Sequence, residues 1–112
     1  MLPNFLYMIL HKFRMQDLWT MMKPYYDELV RNPPKNKQLC PCIKDVKNNQ
    51  VLKYLQWIES GGEKEDSEIS EVINYNGIYD FWVDLRVDFL EYYEEKSDAY
   101  SAAIFIYCML NE

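Results

Sequence analysis

Glycine is nearly missing from this 112-residue chain, occurring only at Gly61, Gly62 and Gly77. So few residues free of a Cβ leave no phosphate-cradling glycine loop and no G-x-S-x-G nucleophile turn. Histidine occurs once, at His11, which disfavours the inward-pointing Glu-x-x-His pairs of a di-metal carboxylate bundle and leaves one imidazole for base chemistry near neutral pH. Cysteines number three, and an odd count argues against a disulfide framework and for a reducing compartment. Long apolar runs are missing too. Residues 99–111 carry no charge but fall well short of the roughly 20 residues of a membrane span. Residues 5–10 have no basic segment before them, and His11, Lys12 and Arg14 follow where a cleavage site would need small residues. The expectation is a soluble protein, cytoplasmic or nuclear, with no membrane span, no cofactor, no metal and no catalysis.

Aromatic residues are abundant, with ten Tyr, five Phe and three Trp. Scarce glycine, few alternating β-branched runs and long stretches without turn residues favour helix over sheet. The expected fold is all-α, a single compact bundle of five or six helices spanning residues 1–112. A chain of this length buries roughly two thirds of its unfolded surface.

Asn4 is a suitable N-cap for an apolar helix containing Phe5, Leu6, Met8, Ile9, Leu10 and Phe13, and Asp17 can cap a second segment over residues 18–22. Pro24 is expected to break or kink the chain there, with residues 24–31 forming a separate short helix. A Pro-rich loop, residues 32–42, follows, because Pro33, Pro34 and Pro41 forbid helix through it. Val51, Tyr54, Leu55 and Ile58, at i, i+3, i+4 and i+7, form the inward face of a helix that Gly61 and Gly62 terminate. An acidic loop, residues 60–66, leads to a short helix carrying Ile69, Val72 and Ile73. Ser97 or Asp98 starts a last helix, in which residues 102–110 are apolar on all sides and so belong deep in the core or at a subunit contact.

Residues 78–96 are expected to form the central helix. Ile78, Trp82, Leu85, Phe89 and Tyr92 form its seam, widened by Tyr79, Phe81, Val83, Val87, Leu90 and Tyr93. At about 100° per residue, Asp80, Asp84, Asp88, Glu91 and Glu95 share one arc roughly 80° wide. These five carboxylates are expected to form a solvated ridge, a docking strip for a basic protein or for this chain's own basic half, or a mimic of nucleic-acid charge. Arg86 projects into the apolar arc, where its stem can lie on apolar surface with its head in water, or its guanidinium, if buried, needs an acceptor from another element or chain.

Charge is segregated along the chain, whose net charge is −6. Residues 1–58 hold nine Lys and Arg against four Asp and Glu, whereas residues 59–112 hold three against fourteen. Arg31, Lys35, Lys37, Lys44, Lys47 and Lys53 form a basic patch around the proline loop. With Tyr54 and Trp57 nearby to stack on bases, this patch is the candidate for nucleic-acid binding. No helix-turn-helix, zinc-finger or RNP-like motif accompanies it. Cys40 and Cys42, one residue apart, are candidates for redox chemistry or a soft metal, although structural zinc sites space their cysteines by two to four. Cys108 and His11 would complete a Cys3His set only if all four converged.

The stretch Asn74-Tyr75-Asn76-Gly77-Ile78-Tyr79-Asp80-Phe81 resembles the Asn-Trp-Gly-Arg stretch of Bcl-2 proteins. Gly77 falls one place late and Ile78 stands where the groove arginine belongs, so neither a groove nor its ligand carries over. The resemblance implies an alternative, a viral Bcl-2-like helical accessory protein that modulates host factors. The favoured expectation is a non-enzymatic protein-interaction module, homodimeric through its N-terminal or C-terminal helix, with aromatic and Arg anchors.

Overall fold

The computed structural model describes residues 4–34, 41–45, 49–61 and 76–110, with side chains from Phe13 onward in the first helix. All regular elements among the described residues are helices: α1 (Asn4–Arg31), α2 (Pro41–Asp45), α3 (Asn49–Glu59), α4 (Asn76–Tyr92) and α5 (Asp98–Leu110). The fold is therefore all-α. No helix among the described residues is long and apolar enough to cross a membrane. The short helix expected to carry Ile69, Val72 and Ile73 lies outside the described residues.

The N-terminal helix departs from the expected break. Residues 4–31 form one helix of 28 residues that runs through Pro24. At about 1.5 Å per residue it reaches close to the molecule's longest extent of 43 Å. Pro24 removes a hydrogen bond to the carbonyl of Thr20, but both residues are exposed, so water can solvate that carbonyl. Meanwhile Met15, Leu18, Trp19, Met22, Tyr26 and Leu29 are buried on both sides of the proline. Packing along this continuous stripe outweighs the local penalty. Replacing Pro24 with Ala should raise stability by about 1–2 kcal/mol, since proline is the poorest residue for an exposed helix interior. Urea denaturation measures it, and an unchanged or lower midpoint would mean that the proline is not strained there.

α3 follows its sequence closely. Val51, Tyr54, Leu55 and Ile58 are buried, together with Trp57. Its C-terminus is closed by Ser60 N–H donating to the Gln56 carbonyl at 3.0 Å and Gly61 N–H to the Ile58 carbonyl at 3.1 Å. Gly61 adopts φ 92°, a left-handed conformation that costs glycine least. Glu59 ties this end to α1, accepting from Trp19 Nε1 at 3.0 Å. Lys23, paired with Asp27 at 3.0 Å, lies 3.9 Å from the same carboxylate. The hydrogen bond to Asp27 is the main cause of a raised Lys23 pKa.

α4 begins two residues earlier and ends four residues earlier than expected. Glu95 and Lys96 fall in the turn that follows. Ser97 caps α5: its Oγ accepts from the Tyr100 N–H at 3.1 Å and donates to the Glu94 carbonyl at 2.7 Å. So short a connection makes α4 and α5 close neighbours, and the buried Ala99, Ala102 and Ala103 let them approach. α4 also packs against α2 and α3, and α1 against α3 and α5.

The core is aromatic. Trp19 meets Tyr26, Phe81 and Trp82 with ring centroids 5.4, 5.9 and 6.2 Å apart. Trp82 also meets Tyr54 edge-on at 6.4 Å, and its Nε1 donates to the Tyr54 hydroxyl at 3.0 Å. Aromatic rings fill volume with few rotatable bonds, and edge-to-face pairs add to their burial. The abundant aromatic residues here include the contacts that join α1, α3 and α4.

Candidate functional site

The carboxylates of the expected ridge separate. Asp80 and Glu91 are exposed on α4, Asp84 is half-buried, and Glu95 is exposed beyond the helix end. Asp88 is only 2% exposed. Its Oδ2 accepts the Cys42 backbone N–H at 3.1 Å, satisfying one of the donors left open in the first turn of α2. Asp88 thus departs from the expected solvated face because α2 covers the edge of the arc where it sits. The apolar arc of α4 departs the other way, since Tyr79 and Val87, expected to widen the buried face, are exposed.

Arg86 is half-buried, and its guanidinium carbon lies 4.7 Å from the centre of the Tyr107 ring on α5. Its Nε is buried and has no hydrogen-bond partner among the described residues. The aromatic face therefore takes the place of the expected acceptor, a cation–π contact that holds the side chain across the α4–α5 seam.

Cys42 does not lie in a loop. Pro41 opens α2 as its first residue, a position that needs no N–H, so the Pro-rich segment does not extend through residue 42. The Cys42 thiol is buried and takes part in no disulfide among the described residues. Its carbonyl accepts from the Tyr26 hydroxyl at 3.4 Å, so one residue links α2 to both α1 and α4. Cys108, placed by sequence among all-round apolar residues, is free and exposed on α5. Cys40 and the His11 side chain lie outside the described residues. Among the described residues no group of three or more His, Cys, Asp or Glu is arranged to hold a metal ion.

Arg31, Lys44 and Lys53 are exposed on three different helices, α1, α2 and α3. Lys35, Lys37 and Lys47 lie outside the described residues. The two aromatics expected to stack on bases, Tyr54 and Trp57, are buried, so this patch has charge without those stacking platforms.

The outer side of α5 carries large exposed hydrophobic residues close together. Ala99, Ala102, Ala103 and Ile106 face the core. Opposite them, Ile104, Phe105 and Tyr107 are 49%, 56% and 53% exposed. The helix is therefore not deep in the core, as one of the two sequence expectations had it. A second feature had no sequence signal: a cleft between the C-terminal end of α1 and the end of α4, lined by Glu28, Leu29, Asn32, Pro34, Tyr92 and Tyr93. These residues come from chain segments about sixty positions apart, and no local spacing connects them.

Comparison of the chain with protein-family models, with curated proteins and with solved structures finds no match. The likeness of residues 74–81 to the Bcl-2 stretch rests on those eight residues alone.

Proposed function

We propose that this chain is a non-enzymatic protein-interaction module that pairs with a second copy of itself through the outer face of α5. The module is a bundle of five or six helices with α4 at its centre. The observation that carries the reading is the exposure of Ile104, Phe105 and Tyr107 on one side of a single helix. Monomeric proteins rarely leave large contiguous apolar patches in water. Charge supports a second copy as the occupant. The chain carries a net charge of −6, yet Ser101, Ile104, Phe105, Tyr107 and Cys108 on this face are uncharged. None of these five side chains adds charge to a contact between two copies.

Sedimentation velocity tests the proposal. The wild type should sediment as a dimer at micromolar concentration and stay so from about 50 to 500 mM salt, a range that shortens the Debye length roughly threefold. Phe105→Glu should weaken the dimer by at least about a hundredfold, because each copy would bury an unpaired charge at the contact. Its helical circular dichroism should not change, since Phe105 is exposed. A wild-type monomer, or a dimer indifferent to Phe105→Glu, would overturn the proposal. Dissociation by salt would instead assign the contact to the oppositely charged halves of the chain.

A further inference from the structure

Leu29 and Val30 lie in the last turn of α1, and the residues that would continue the helical hydrogen bonds to their carbonyls are Pro33 and Pro34. Proline has no N–H. The Glu28 carbonyl is satisfied by the Asn32 N–H at 2.9 Å, but the two carbonyls after it receive no helical i+4 hydrogen bond, because Pro33 and Pro34 have no N–H to give. They stand at the negative end of a 28-residue helix, where positive charge is stabilised.

Against this end lies the cleft of about 280 Å³. The Glu28 side chain lines it, is exposed, and has no ion pair among the described residues. Tyr92 and Tyr93 form the opposite wall. The Tyr93 ring is held in place: its hydroxyl donates to the Tyr25 carbonyl, and its edge contacts are with Phe89 at 5.0 Å and Tyr25 at 5.6 Å. Among the described residues no basic side chain lines the cleft, and Arg31, one turn beyond Glu28, is exposed outside it. A carboxylate, a negative helix end and two electron-rich rings all favour the same kind of guest.

We propose that this cleft binds an alkylammonium head group, supplied either by a small free amine or by the end of a lysine side chain. The Glu28 carboxylate and the negative end of α1 neutralise the charge, while the tyrosine rings and Leu29 cover the attached methylenes or methyls. Its volume falls just below the usual range for ligand pockets, about 300–1,000 Å³, which suits a head group and is too small for a nucleotide. Among the described residues α5 contributes none to the cleft, so the site is tested separately from self-association.

The test titrates the full chain with choline, with n-butylammonium and with 3,3-dimethylbutan-1-ol, the neutral isostere of choline, at constant ionic strength, following Tyr ring signals by NMR. The expected result is saturable shifts of Tyr92 and Tyr93 with a millimolar dissociation constant for at least one cation, and binding of the neutral isostere at least about tenfold weaker. Glu28→Gln should weaken the cation about five- to tenfold without altering the isostere, and Tyr92→Leu about tenfold. Arg31→Ala should leave binding unchanged or tighten it. Preference for choline would identify a quaternary head group as the guest, and preference for n-butylammonium a lysine-like one; either supports the site. Equal binding of the neutral isostere, or no saturable shift with either cation up to about 100 mM, would overturn it. Because the isostere comparison uses the unaltered protein, it holds even if a variant misfolds.

Discussion

Replacing Trp82 with Ala should destabilise the protein by about 3–5 kcal/mol, enough to unfold a large fraction of a domain whose total stability is of the order of 5–15 kcal/mol. Trp82 is 1% exposed on α4. It touches Trp19 of α1 and Tyr54 of α3, and its neighbour Phe81 at 5.6 Å. Truncation removes the side chain that joins three helices and opens a cavity that three surrounding rings cannot fill without moving. It also leaves the buried Tyr54 hydroxyl without the donor at 3.0 Å. Trp82→Phe separates the two contributions. It keeps much of the packing, loses the Nε1 hydrogen bond, and should cost about 1–3 kcal/mol. Urea denaturation followed by far-ultraviolet circular dichroism gives both values. A cost below about 1 kcal/mol for the alanine variant would contradict a core organised around this ring.

Asp88→Ala should cost about 2–3 kcal/mol, although a solvated carboxylate on a crowded acidic face would be expected to cost nothing or to relieve repulsion. The difference is one of sign as well as size. In the structure the carboxylate is buried and accepts from the backbone of Cys42; removing it leaves a buried N–H unsatisfied at the start of α2. The loss should concentrate there. Hydrogen exchange at the Cys42 amide should speed up by more than the global destabilisation explains, as α2 opens locally. Asp88→Asn keeps an acceptor of the same shape and should recover part of the loss. If Asp88→Ala were neutral and Cys42 exchange unaltered, α2 would not be held by this bond. Asp84→Ala is the internal control, with an expected effect within about 0.5 kcal/mol.

The self-association and cation-binding proposals use surfaces that differ in how far the sequence reveals them. Uninterrupted apolar residues in the last helix pointed to either a core position or a subunit contact, and the exposed Phe105 argues against the first. The cleft at the end of α1 gave no such signal. Pro33 and Pro34 mark a helix end, and only the tertiary fold brings Tyr92 and Tyr93 opposite it. Arg86 was legible as an anomaly in an apolar arc, but its partner, the Tyr107 ring, belongs to another helix.

Local physical chemistry in the sequence determined the all-α class, the inward face of α3, the stop at Gly61 and the start of the last helix at Ser97 or Asp98. Each depends on residues within about one helical turn of one another, so spacing and residue type suffice. The tertiary structure decided what depends on distant partners. Pro24 stays inside a helix because buried residues on both sides of it outweigh the broken bond, and Cys42 enters the core because Pro41 can begin a helix that the rest of the chain receives. Asp88 leaves the acidic ridge because a backbone N–H 46 residues away needs its carboxylate. The outer side of α5 stays exposed because α4 and α1 pack against only one of its two apolar sides. Periodicity shows which faces are apolar, but the balance of packing, desolvation and hydrogen bonding among separate helices selects which of them is buried.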